Sequence, residues 1–170
     1  MIEERWEALY REAWARLTTD RATLGDVEPE GTPVLAFGQW QTSRVVTAGL
    51  NPSEIEFRDA AGAPLAEPRR RFLHWPADGA LSADSLATAR RRAEGYFSLG
   101  NAYTSWFGLY DAFLAGLGVS FQAGTACHTD YLSPFASRRG ISRCDRRTRD
   151  GLSAYGSRLW IRILEAMPSA

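Results

Sequence analysis

Apolar positions along this chain fall into helical and strand-like runs, separated by polar connections rich in glycine and proline. Ile2, Trp6, Leu9, Tyr10, Ala13, Trp14 and Leu17 recur at helical spacing and predict an amphipathic helix over residues 2–17. After a polar connection, Pro33 to Gly38 predicts a short strand, Gln39 to Ser43 a turn and Arg44 to Ala48 a second strand, the two forming a hairpin. Pro64, Pro68 and Pro76 interrupt residues 54–84, which predict no regular element. A loop of that length in a compact domain is usually functional or mobile. Ser85 to Phe97 predicts a helix with Leu86, Ala89, Ala93, Tyr96 and Phe97 on one face, and Asn101 is placed to cap the next helix. That helix carries Tyr103, Trp106, Phe107, Tyr110, Phe113, Leu114 and Leu117 as a stripe, read as an aromatic core face and ended by Gly116 or Gly118. Thr125 to Leu132 predicts a buried strand, and Arg147 to Met167 a last helix with Leu152, Tyr155, Leu159, Ile163 and Met167 on one side.

Strands alternating with amphipathic helices predict an α/β fold, a three-layer α/β/α arrangement with a mainly parallel central sheet. The 170 residues make about one domain, spanning 1–170 with its core over 33–167. Only three strands are read, so the sheet is thin.

Composition narrows the function classes. The chain is 45% hydrophobic and 24% charged, ordinary for a globular protein, and no apolar run is long enough to span a bilayer. Its start, MIEERWEALY, is acidic and amphipathic rather than a signal peptide, so a soluble, cytoplasmic protein without a membrane partner is expected. Net charge is zero but uneven: residues 1–30 hold eight acids and four arginines, residues 138–150 six arginines and two aspartates. All twenty basic residues are arginine. Arginine binds phosphate bidentately and stacks on bases. A bias of the genome towards arginine codons explains the lysine deficit as well, but the Arg138–Arg149 segment remains a phosphate-binding candidate. Cys127 and Cys144 form no Cys-x-x-Cys pair, and with His74 and His128 they give no metal-ligand spacing; no metal or cofactor is expected.

One stretch stands out chemically: Val45-Val46-Thr47-Ala48-Gly49-Leu50-Asn51-Pro52-Ser53. A β-branched strand runs into a Gly-x-Asn-Pro-Ser turn, and ligands of open α/β sheets bind outside the carboxyl ends of the strands. Pro52 stiffens the loop, so Asn51 is presented to position a water or a base, or else it only caps the next segment.

Taken with His128-Thr129-Asp130-Tyr131-Leu132-Ser133-Pro134 at the later strand end, this loop resembles the uracil-DNA glycosylase superfamily, most of all an uncharacterised bacterial branch with a Gly-Leu-Asn-Pro-Ser first motif. The resemblance implies a DNA base-excision N-glycosylase acting on a flipped pyrimidine. Asn51 would position the attacking water, and Gly49 and Leu50 would lie against the base. Phe57 or Phe72 would stack on it, and Asp130 lies near the place of an Asn that reads the pyrimidine edge. His128 and backbone amides near Gly49 are candidates for stabilising the leaving base, although a strand-end histidine is also commonly bonded to backbone. Ser53, Arg138, Arg139 and Arg143 would face DNA phosphates. The superfamily closes its site with a late motif, often His-Pro-Ser, on a loop after the last strands. Here Met167-Pro168-Ser169-Ala170 follows a helix, so the chain reads as truncated at its C-terminus. The apolar stripe of the last helix is then expected to lie open, or a sheet edge to be exposed, favouring homo-oligomerisation.

Asp130 in place of Asn changes what is read. An ionised aspartate only accepts hydrogen bonds, which suits the exocyclic amine of cytosine, modified cytosines included, better than uracil. Such a preference fits defence against modified foreign DNA. A non-catalytic nucleic-acid- or protein-binding module on a truncated glycosylase-like fold is the competing expectation. A small-molecule nucleotide hydrolase would need a phosphate-cradling glycine motif that the sequence lacks.

Overall fold

The computed structural model describes residues 2–21, 23 and 25–168, and for Ile2 the backbone alone. The Ile2 side chain, Ser169 and Ala170 lie outside the described residues. The fold is mixed helix and strand, with four α-helices and a two-stranded parallel sheet among the described residues. Helix α1 (Ile2–Asp20) buries the expected stripe of Trp6, Leu9, Tyr10, Ala13, Trp14 and Leu17, with Glu3 and Glu4 suited to its positive N-terminal end. It packs against α4 (Arg146–Ala166), which starts where the Asp145 side chain accepts the Thr148 N–H at 3.0 Å. Helix α2 (Ala83–Glu94) starts in the same way, Ser82 Oγ accepting the Ser85 N–H at 3.0 Å. Helix α3 (Thr104–Gly116) follows with no side-chain cap at its N-terminus.

Strands β1 (Val45–Gly49) and β2 (Ala126–Asp130) pair in parallel, with Thr47 opposite His128 and Gly49 opposite Asp130. All five residues of β2 are buried, and its side chains alternate between two hydrophobic clusters. Cys127 joins the cluster of α1 and α4, while Ala126 joins the aromatic cluster of Phe37, Phe57, Phe72, Tyr96 and Phe107. On the α4 side, the Trp160 indole N–H donates to Thr129 Oγ1 at 2.9 Å. A close approach there fixes the end of β2. A Cβ on Gly156 of α4 would collide with the Leu132 carbonyl oxygen and lie 2.7 Å from Ser133 Cα, so only glycine lets the helix reach this turn.

Four expectations need correction. Pro33 to Gly38 forms no hairpin with β1. Phe37 makes an isolated antiparallel bridge with His128, so β2 is paired on both of its edges and the chain crosses over it between Gly38 and Arg44. Asn101 caps no helix; its amide donates to the Pro68 and Arg70 carbonyls, both at 3.3 Å. The aromatic stripe of α3 is only partly a core face: Phe107 and Leu114 are buried, whereas Trp106, Phe113 and Leu117 are 44%, 67% and 54% exposed. The stripe of α4 expected to lie open is instead covered, with Leu152, Leu159 and Ile163 buried and Tyr155 packed against the same cluster. Among the described residues the exposed large apolar side chains concentrate on α3 and the residue that follows it, with Val46, Leu50, Leu99, Tyr131 and Ile161 exposed singly elsewhere.

Replacing Gly156 by alanine is expected to destabilise the protein by about 3 kcal/mol, because backbone cannot move aside. Gly108, in α3, is the control, since a methyl group there would meet nothing within 4 Å. Gly108→Ala should stabilise by roughly 0.5–1 kcal/mol. Denaturant titration of both variants measures the contrast.

Candidate functional site

The carboxyl ends of β1 and β2 open into a pocket of about 340 Å³. Gly49, Leu50, Asn51, Pro52 and Ser53 line it from the first motif, His128 and Asp130 from β2, and Gly140, Ile141 and Ser142 from the loop before α4. Phe37, Tyr103, Trp106 and Phe107 supply aromatic surface. Both strand ends thus meet at one place, whereas the Phe57–Trp75 loop, expected from the sequence to join them, contributes no lining residue.

Register explains its polar centre. In a parallel pair, opposed residues share a face, so Thr47 meets His128 and Gly49 meets Asp130. Thr47 Oγ1 lies 2.8 Å from His128 Nδ1 and 3.3 Å from the Cys127 carbonyl oxygen. His128 Nε2 faces Asp130 Oδ1 at 3.5 Å. A side chain at position 49 would strike this pair: a Cβ there would collide with Asp130 Oδ1 and stand 2.8 Å from His128 Nε2. Glycine at 49 leaves the room in which a histidine and an aspartate share the sheet face. The edges of Phe37 and Phe107 enclose His128, with ring centroids 5.4 and 5.1 Å away.

The direction in which the Thr47 hydroxyl donates decides which His128 nitrogen carries the ring proton. If Thr47 donates to the Cys127 carbonyl, Nδ1–H donates to Thr47, and the Nε2 lone pair would face Oδ1 unless one of them is protonated. If Thr47 donates to Nδ1, Nε2 carries its own proton towards Oδ1. Asp130 Oδ2 is buried and without a hydrogen-bond partner among the described residues. Burial pushes the Asp130 carboxyl above its ordinary range, with His128 pulling the other way.

A second buried carboxyl lines the same pocket. Glu56 ends a one-turn 3-10 helix, Glu54–Glu56, capped by Ser53. The Tyr96 hydroxyl donates to Glu56 Oε2 at 2.8 Å and itself accepts the Tyr103 N–H at 3.0 Å. Arg71 Nε is 3.9 Å from the same oxygen, while Oε1 makes no hydrogen bond among the described residues. Burial pushes Glu56 up to about 7; Tyr96 and Arg71 oppose this, and the nearby Asp130 adds to it. Burial thus shifts both carboxyl groups in the direction of protonation.

Asn51 lines the pocket, yet its amide is spent on architecture. Nδ2 donates to the Pro52 carbonyl at 2.8 Å and to Ser137 Oγ at 2.9 Å, and Oδ1 accepts the Ile141 N–H at 3.2 Å. It does not cap the next segment, Glu54–Glu56, either: Ser53 does that, and Asn51 ties the first motif to Ser137 and Ile141. Phe57 and Phe72 are not pocket walls: they are 0% and 2% exposed, packed behind it against each other and, through Phe72, against Phe37 and Tyr96. Leu50 is 45% exposed at the rim, and Ser53 lines the pocket while its Oγ accepts the Ile55 N–H at 3.4 Å. Arg138, Arg139 and Arg143 are exposed on the segment that flanks Gly140 to Ser142, and Ser137 bridges to Ser53, tying that segment to the first motif. Glu56, Phe37, Tyr103 and Trp106 belong to no motif. For Glu56 the one available signal is its position just past the Gly-Leu-Asn-Pro-Ser turn.

Among the described residues no cluster of three or more histidine, cysteine or acidic side chains is arranged to hold a metal ion, and no helix is long and apolar enough to cross a membrane. No family model matches the chain, and neither a curated protein nor a solved structure matches it.

Glu56 makes stability depend on pH. Between its ordinary value of 4.5 and about 7, the folded protein holds a proton that the unfolded chain has released. Stability therefore falls as pH rises through this window, by about 3 kcal/mol in total from this group. In Glu56→Gln that part of the slope should vanish, and the variant should match or exceed the parent in stability above pH 7, as read by denaturant unfolding at a series of pH values.

Proposed function

We propose that the chain is a DNA base-excision N-glycosylase-like protein that receives an everted pyrimidine in this pocket. The observation that carries the reading is a pair of buried, proton-favouring carboxyl groups inside an aromatic-walled cavity at the strand ends. Its volume suits a nucleobase, and Trp106 and Phe107 offer faces and edges for stacking. The exposed arginines beside Ser142 supply a phosphate-binding lip. The three-layer α/β/α arrangement belongs to the same proposal, as does the likeness to the uracil-DNA glycosylase superfamily.

Cleavage of an N-glycosidic bond leaves the electron pair on the base, so the base must be neutralised as it departs. A protonated Glu56 suits that task. Its proton passes to a ring nitrogen or carbonyl of the base while the bond to the sugar C1′ breaks. Water then adds at C1′ and returns a proton to the Glu56 carboxylate, so the enzyme ends as it began. Asn51 in this scheme holds the wall of the pocket, and no strong base is needed, because the sugar carries cationic character when water attacks.

Excision is tested on single- and double-stranded oligonucleotides carrying uracil, cytosine and modified cytosines, with abasic sites revealed by alkali. Glu56→Gln is expected to lower the rate at least about 100-fold. Absence of excision across the panel, with binding retained, would instead favour a non-catalytic module, a reading to which the exposed apolar face of α3 lends weight.

Binding should weaken with salt through the arginine lip. Replacing Arg138, Arg139 and Arg143 together with alanine should flatten the slope of log affinity against log salt by about one unit for each phosphate no longer neutralised. An unchanged slope removes this segment from the interface.

A further inference from the structure

Independently of the nucleobase reading, we infer that two copies of this chain pack against each other through α3, antiparallel about a two-fold axis. Helix α3 has two unlike sides. Phe107 and Leu114 are buried in the aromatic cluster. On the side turned away from them, Leu109 and Phe113 are 73% and 67% exposed, and Trp106 and Leu117 extend the same strip to either end. Each of the four lies three or four residues from the next, so they form one continuous strip along the helix. A Cβ on Gly116, beside the strip, would meet nothing within 4 Å, so the described chain leaves this side of the helix open.

Charge tells what covers it. Of all the arginine, aspartate and glutamate residues, only Asp111 falls between Gly95 and Thr129, in a chain that is 24% charged. Asp111 stands two residues from both Leu109 and Phe113, about 200° round the helix from each, so the strip itself is uncharged. A helix that lies on a lipid surface or tracks a nucleic acid carries lysine or arginine, and α3 has neither. An uncharged strip gives a foreign protein nothing to recognise by charge, yet it meets its own copy without like-charge repulsion.

Size and pattern fit a modest dimer. The four side chains expose on the order of 400–500 Å² together. With the flanking Ser105, Ala112 and Gly116, two copies bury roughly 1,000 Å², the lower bound for a specific interface, which suits a dissociation constant on the order of 10–100 µM. Antiparallel packing sets the helix dipoles favourably and makes the contact isologous. The strip nearly repeats about its own middle, so Leu109 falls over the partner's Phe113 and Trp106 over the partner's Leu117. Ala112 and Gly116 are small enough to admit the ridges of the facing helix. Because Trp106 also lines the pocket, the second copy borders the rim of the site.

The test is sedimentation velocity on the whole chain from about 5 µM to about 1 mM, where a reversible monomer–dimer equilibrium is expected. Leu109→Glu and Phe113→Glu should each weaken it at least about 100-fold, since the two-fold axis brings each unpaired charge into the contact twice. Ile161→Glu, at an exposed apolar position on α4, should leave it unchanged. A chain that stays monomeric to about 1 mM overturns the proposal, as does a dimer indifferent to both α3 variants or one lost equally in Ile161→Glu. Thermal unfolding checks that the variants fold. Should an α3 glutamate variant fail to fold, Leu109→Cys and Phe113→Cys chains are mixed and oxidised, the two native cysteines being buried. A disulfide-linked mixed dimer that forms faster than either chain links to itself supports the antiparallel pair, and no excess of the mixed product overturns it.

Discussion

Burying β2 on every side is the constraint from which the rest follows. A five-residue strand with no solvent contact must find partners for its peptide groups within the protein. It finds them on two edges, β1 in parallel on one and Phe37 antiparallel on the other. Its two faces then diverge in character. Cys127 and Thr129 turn towards α4, where glycine at 156 lets the helix come close enough for Trp160 to bond Thr129. His128 and Asp130 turn towards the pocket, where Thr47 and the missing side chain at 49 accommodate them. The tight packing on one face and the reactive groups on the other are consequences of the same alternation.

Helices were legible in the sequence because their period is local. The buried stripes of α1 and α4 match the spacing of their apolar residues. In α3 the same pattern misleads, since its apolar residues run nearly all round the helix, and spacing tells which residues share a face but not whether anything covers that face. Strand pairing is non-local, and nothing in Pro33 to Gly38 indicates that its partner lies some ninety residues later instead of across the next turn. Within the site, Gly49, Asn51, His128 and Asp130 were legible through their turn chemistry and their places at strand ends. Glu56 was not, because an acid in an irregular loop looks solvated until the loop is folded over it. Phe57 and Phe72 err in the opposite sense: aromatic residues in a loop serve the core as readily as a ligand.

The two carboxyl groups also set a limit on how rigid the pocket must be. Burial is what raises both groups, and the mutually packed rings of Phe37, Phe107 and Tyr96 are part of the surroundings that bury them. Water entering the pocket would relieve the burial that raises Glu56 and Asp130, and so favour the ionised form of each. Acidity and closure are therefore one property here.

Asn51 has a further consequence for anyone mapping this site by substitution. Its single amide ties the first motif to Ser137 and Ile141, and so joins one wall of the pocket to the arginine-bearing loop. A variant at this position would loosen both walls at once, so a loss of function there would not by itself mark a catalytic group. The residue that looks most like the catalyst in a mutational scan is the rivet that holds two walls together.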